Sequence, residues 1–144
     1  MCMGKRLSDR ALARYKAKGK KTGYIRVWKT VEKTWKKFRP GYYPNGLLYK
    51  KGLNRARSFA GEEQQLIHAF RDRKSAEVFA FSHEVIISTM VHPDWVKAIG
   101  TTDDRKHALT TKAIVMPAYP KKRVTVAEFK AAIKGKKIQK YSWE

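Results

Sequence analysis

The sequence has one cysteine, few acidic residues and no long apolar run. Cys2, alone at the N-terminal end, excludes an intramolecular disulfide and a cysteine-rich zinc site, and fits a reducing compartment. No stretch approaches the roughly 20 apolar residues of a membrane span. Residues 1–23 are basic and lack the apolar stretch, about 7–15 residues long, of a secretory signal. A cytoplasmic protein with neither signal peptide nor transmembrane segment is the expectation. Glycine-rich phosphate loops, nucleophile elbows and zinc-finger spacings are also missing. Their lack weighs against an enzyme, although one assembled from scattered residues stays open.

The shortage of acids is the most informative. Twelve Asp and Glu face 33 Lys and Arg in 144 residues, a formal charge of +21. A compact chain so charged repels itself, and a polyanion relieves the repulsion. Nucleic acid is the first candidate, anionic membrane surface the second and an acidic protein the third. The charge is polarised: residues 1–60 carry a net +16, residues 61–119 a net −1 and residues 120–144 a net +6. A near-neutral centre flanked by basic segments suits a scaffold with a contact surface attached.

With 42% hydrophobic residues and 17 aromatics, the chain is too apolar for a disordered polycation and about the length of one domain. Ser8 before Asp9 reads as a helix N-cap, with Leu7 and Leu12 placed as a staple and Gly19 ending the helix. Tyr24–Val31 alternates as a strand, with Ile25, Val27 and Val31 on one face and Arg26, Trp28 and Thr30 on the other. A turn at Glu32 and Lys33 and a second alternating run, Thr34–Arg39, complete a hairpin. Leu66–Phe70 reads as a buried strand, Asp72 as the cap of a short helix, and Val85–Val91, Val96–Ile99 and Leu109–Met116 as further strands. Thr125–Glu128 matches a capping box, and Gly135 is placed to end that helix. The expected fold is α+β: a single small domain with a mostly antiparallel sheet, two or three short helices and basic termini. Its parts are an N-terminal arm with a short helix (1–23), a core with a basic aromatic hairpin (24–119), and a C-terminal helix and tail (120–144).

Between Tyr24 and Arg57, aromatics alternate with ten Lys or Arg. Aromatic faces stack on unpaired bases while neighbouring cations neutralise phosphates, a combination used by RNA and single-strand binders. The candidate contacts here are Arg26, Trp28, Trp35, Lys36, Lys37, Arg39, Tyr42, Tyr43, Lys50, Lys51, Arg55 and Arg57. Core tryptophans with a solvated lysine rim would give the same pattern. The basic ends add Lys20, Lys21, Lys121, Lys122, Arg123, Lys136 and Lys137, mobile point charges suited to sequence-independent phosphate contact or to solubility alone.

Histidines 68, 83, 92 and 107 are not spaced as metal ligands, and Glu62–Glu63 and Asp103–Asp104 read as exposed local pairs rather than acid–base partners. No metal, cofactor or catalytic residue is expected.

The segments His68–Arg71, Ser75–Ala80, Val85–Val91 and Asp94–Gly100 resemble small uncharacterised phage and bacterial proteins in which a strand ending in an aromatic leads into a short helix and a further strand. The order is also similar to part of the ADP-ribosyltransferase fold. That resemblance implies a fold but assigns no residue roles, since the transferases' catalytic glutamate and its partners have no match here.

The expected function is therefore non-enzymatic binding of RNA or DNA through phosphate neutralisation and aromatic stacking, alone or within a host protein–nucleic-acid complex. Two alternatives stand beside it. One is a phage-type host-takeover or anti-defence inhibitor that binds an acidic surface or a nucleic-acid channel. The other is a basic ribonuclease or an ADP-ribosyltransferase-like enzyme.

Overall fold

The structure, a computed structural model, describes residues 3–34, 37–40, 48–56, 66–80 and 84–136. In chain order the elements are β1 (Met3–Arg6), α1 (Asp9–Lys20), β2 (Ile25–Thr34), β3 (Lys37–Pro40), β4 (Gly52–Arg55), β5 (Ile67–Phe70), α2 (Arg73–Phe79), β6 (Glu84–Val91), a 3-10 turn (Pro93–Trp95), β7 (Val96–Thr102), β8 (His107–Thr111), β9 (Ala113–Met116) and α3 (Val126–Ile133). The nine strands among the described residues form one antiparallel sheet in the order β1-β7-β8-β5-β2-β6-β9-β4, with β3 paired to the far end of β2. The class is α+β, as the sequence implied.

Each helix starts on a side-chain cap. The Ser8 hydroxyl accepts from the Ala11 N–H at 3.2 Å, Asp72 accepts from the Ser75 N–H at 2.8 Å, and Thr125 and Glu128 form a reciprocal capping box. Gly19 does not end α1 as expected. The helix runs on to Lys20, and Gly19 is buried where α1 crosses Ile25 and Pro93. A Cβ there would come within 2.8 Å of Ile25 Cδ1 and 2.9 Å of Pro93 Cγ, so the glycine permits a close approach. The segment 1–23 also contributes β1, which pairs with β7.

β2 holds the centre of the sheet. Its alternation puts Ile25, Val27, Lys29 and Val31 on one buried face, and Arg26, Trp28, Thr30 and Glu32 on the other, half-buried one. The expected turn at Glu32 and Lys33 is instead ladder: Glu32 pairs with Arg39 and Lys33 with Phe38, and β2 extends to Thr34, opposite Lys37.

The single strand expected over Leu109–Met116 is two, broken by a bend at Lys112. β8 pairs with β5 and β7, whereas β9 pairs with β6 and β4. Laid flat, four strand spacings would separate β8 from β9 by about 19 Å. Yet Thr111 and Ala113 flank one residue, which limits their Cα atoms to about 7.6 Å. The sheet must therefore curl until β8-β5-β2-β6-β9 nearly closes on itself. The bend stays bonded on both sides, since the Lys112 N–H donates to the Trp95 carbonyl at 2.9 Å and its carbonyl accepts from the Ala56 N–H at 2.7 Å.

The concave side of the curl holds the larger core, with Val27, Val31, Ile67, Ala69, Ile87 and Leu109 all buried. α3 joins it through Phe129, whose ring lies 5.9 Å from Trp95 and 6.5 Å from Tyr24. On the convex side, α2 covers a smaller cluster of Phe70, Ala76 and Ala108, against which Trp28, Phe79 and Ile86 pack.

Candidate nucleic-acid interface

The convex face of β2 continues past α2 to Arg26, and there the structure brings two expected cations together. The segment after β9 returns alongside β6: the Ser88 N–H donates to the Lys122 carbonyl at 2.8 Å and the Val124 N–H to the Ser88 carbonyl at 2.9 Å. This parallel bridge sets Arg123 opposite Ser88, and from the other side Arg26 Nη1 donates to Ser88 Oγ at 2.9 Å. Burial, and then the charge of Arg123, pull the Arg26 pKa below its ordinary value. Among the described residues neither arginine has a carboxylate partner. Two like charges thus stand close together, Arg26 on the Ser88 hydroxyl and Arg123 on the backbone bridged to Ser88, and among the described residues most of the Arg26 N–H donors are unengaged. Lys121 and Lys122 precede Arg123, and all three are exposed.

Ser88 gave no sign of this role in the sequence, where it sits inside an apolar strand. Only the 122–124 bridge, a contact between distant segments, makes it the hub.

Lys50 and Lys51 are exposed on a turn built by Asn54. That buried amide accepts from the Lys50 N–H at 3.1 Å and donates to the carbonyls of Lys50 and Gly52 at 2.8 and 3.0 Å. Gly52, at φ +92°, supplies the left-handed residue that the turn needs. Arg55 is exposed at the end of β4.

Lys20 and Lys21 fall elsewhere, at the C-terminal end of α1. Lys20 Nζ stands 3.9 Å from Asp94 Oδ1, and Lys16, Lys97 and Lys112 share that neighbourhood. Burial lowers the Lys16 pKa, Asp94 raises it, and the three other lysines lower it again. This second cationic cluster has a carboxylate at its centre and is better neutralised than the first. Lys136 is exposed beyond α3. Trp28 is only partly available for stacking, because its ring packs on the cluster beneath α2. Trp35, Lys36, Tyr42, Tyr43, Arg57 and Lys137 lie outside the described residues, as do the side chains of Lys37 and Arg39.

Other charged groups serve the fold. Arg71 donates to the carbonyls of Ala108 and Gly100 at 3.0 and 2.9 Å, and its guanidinium stands 5.9 Å from the centre of the Tyr15 ring, fastening α1 to β7 and β8. Asp72, Ser75 and His107 form a trio that lacks triad geometry. His107 Nδ1 lies 2.8 Å from Asp72 Oδ2, but the buried Ser75 hydroxyl accepts from the His107 backbone N–H at 3.0 Å instead of meeting the imidazole. His92 Nδ1 accepts from the Asp94 N–H at 3.1 Å and caps the 3-10 turn. No group of three His, Cys, Asp or Glu side chains that could hold a metal occurs among the described residues, and no helix there is long and apolar enough to cross a membrane.

Comparison with known proteins adds no argument for any family: no family model, no curated protein and no solved structure matches the chain.

Proposed function

We propose that the protein binds RNA or DNA without catalysing its turnover, by neutralising phosphates on the convex face around Arg26, Lys121, Lys122 and Arg123. One observation carries this reading. Arg26, bonded to the Ser88 hydroxyl, feels the charge of Arg123 on the segment bridged to Ser88, with no carboxylate partner for either among the described residues, an arrangement that an anion with several oxygens would satisfy. A phosphodiester has the charge and the acceptors, and the exposed lysines that lead to the pair supply further contacts along a backbone.

The test is a salt titration of affinity for labelled single-stranded and duplex oligonucleotides. Binding should fall steeply with salt, and the double variant Arg26→Ser, Arg123→Ser should reduce the slope of log affinity against log salt by roughly one for each phosphate that it no longer neutralises. Failure to bind any nucleic acid at low salt, or binding indifferent to salt, would refute the reading.

A further inference from the structure

A cavity of about 320 Å³ opens beside the turn that carries Lys50 and Lys51. Phe38 and Tyr49 are buried in its wall, while Leu48 and Tyr119, 39% and 37% exposed, form its lip with the two lysines. Phe38 braces Tyr119 from behind, with ring centroids 5.1 Å apart and planes tilted by 51°. The lip aromatic is thus held in place before any ligand arrives, which reduces the ordering cost of binding. The volume lies at the lower end of the roughly 300–1,000 Å³ of small-molecule sites, enough for one ring system and too small for a dinucleotide cofactor.

The surroundings identify the occupant. Lys50, Lys51 and Lys121 are all exposed, and Lys121 follows directly on the turn closed by its N–H on the Ala118 carbonyl at 2.8 Å. From Tyr119 the chain reaches Arg123, in the convex-face cluster, in four residues, or about 14 Å at full extension. The cavity and the arginine pair therefore lie a few nucleotides apart along one basic path. A neighbouring cavity of about 360 Å³ between β4, β9 and α3 shares Lys51 but has no aromatic among its described lining residues. Its walls are otherwise mostly aliphatic, and Glu128 there would repel a phosphate.

We infer that the Tyr119 cavity receives one unpaired base of a single-stranded nucleic acid, with the flanking phosphates on Lys50, Lys51 and Lys121. The inference rests on the nucleic-acid reading above and sharpens it. A base stacked inside a duplex cannot enter, so the cavity makes the protein prefer single strands.

The experiment uses the full chain and a single-stranded oligonucleotide carrying one photoreactive base. Irradiation should join that base to the peptide around Leu48–Lys51 or Pro117–Lys121, and a duplex carrying the same base should not label these peptides. Tyr119→Ala should weaken single-strand binding roughly tenfold and leave duplex binding unchanged, whereas Tyr119→Phe should keep most of the affinity. Adducts confined to other peptides, or equal effects of Tyr119→Ala on both substrates, would overturn the inference. Should the alanine variant fail to fold, the cross-link on the unaltered protein decides. Salt-dependent binding that disappears in the Arg26→Ser, Arg123→Ser variant but is indifferent to Tyr119→Ala overturns the cavity alone. Absence of any nucleic-acid binding overturns both readings.

Discussion

The Lys29 ammonium donates to the His68 backbone carbonyl across 2.6 Å on the concave side of the sheet, where Lys29 is only 8% exposed. β2 and β5 share a single paired position, Trp28 with Phe70, and Lys29 reaches the β5 backbone beside it. Burial drives the Lys29 pKa from its ordinary 10.5 down to about 8, against an opposing pull from Glu84. Between those values the unfolded chain holds a proton that the folded chain has released, so stability rises with pH across that window. Urea unfolding should show the wild type gaining stability between about pH 8 and 9.5, and Lys29→Met should remove most of the gain, leaving the part that Lys16, whose pKa burial also lowers, supplies. The variant should also be more stable at pH 7, by on the order of 2 kcal/mol, because no ammonium need be buried. Tyr15, whose burial pushes its pKa from 10.0 up to about 12, pulls the other way, but chiefly above its ordinary 10.0 and so beyond the upper end of this comparison.

Polyanions should stabilise the fold. A ligand that binds the native state alone raises the melting temperature, and the adjacent charges of Arg26 and Arg123 gain most from an added anion. Heparin or polyphosphate should therefore raise the thermal midpoint of the wild type, and do so less for Arg26→Ser, Arg123→Ser. An equal rise in both proteins would place the anion elsewhere.

Gly19→Ala should destabilise the protein even though alanine favours a helix by about 1 kcal/mol. The added methyl would crowd Ile25 and the Pro93 ring, and overpacking of this kind costs about 1–3 kcal/mol. Thermal unfolding of the variant settles whether the crossing yields. A midpoint at or above the wild type's would show that α1 can shift away.

Asp72 caps α2 and faces His107. Burial raises its carboxyl pKa, but the Ser75 N–H and hydroxyl and the His107 side chain outweigh this and hold it below its usual 3.8. Its contribution is thus complete above the ordinary carboxylate range and is lost as pH falls through the lowered folded value. Asp72→Ala should cost about 1 kcal/mol at pH 7. Asp72→Asn should retain most of the cap while losing the acid-sensitive part, a difference that melts at neutral and acid pH would resolve.

The caps at Ser8, Asp72 and Thr125 were legible because capping chemistry is local: the residue and the N–H that it accepts from lie three positions apart. Strand alternation around Ile25 and Val27 was legible for the same reason. Gly19 serves a close crossing that depends on Pro93, far along the chain, and the bend at Lys112 falls within Leu109–Met116, where no glycine or proline marks a break. The turn misplaced at Glu32 and Lys33 shows that two charged residues are a poor punctuation mark when a ladder partner is available. At the candidate site, the basic character of Lys50, Lys51 and Lys121–Arg123 could be read directly. Ser88 could not, and Tyr119 could have been: an aromatic two residues before Lys121 satisfies the same aromatic-and-basic criterion applied to residues 24–57.

The bend at Lys112 has a consequence for how the molecule comes apart. Lys112 joins β8, inside the β7-β8-β5 side, directly to β9, inside the β6-β9-β4 side, so neither half of the sheet can peel away without pulling its continuation from the other. With a seam stitched through a single residue in this way, no half-sheet is expected to melt by itself, and the strands from β7 to β4 should unfold as one cooperative unit.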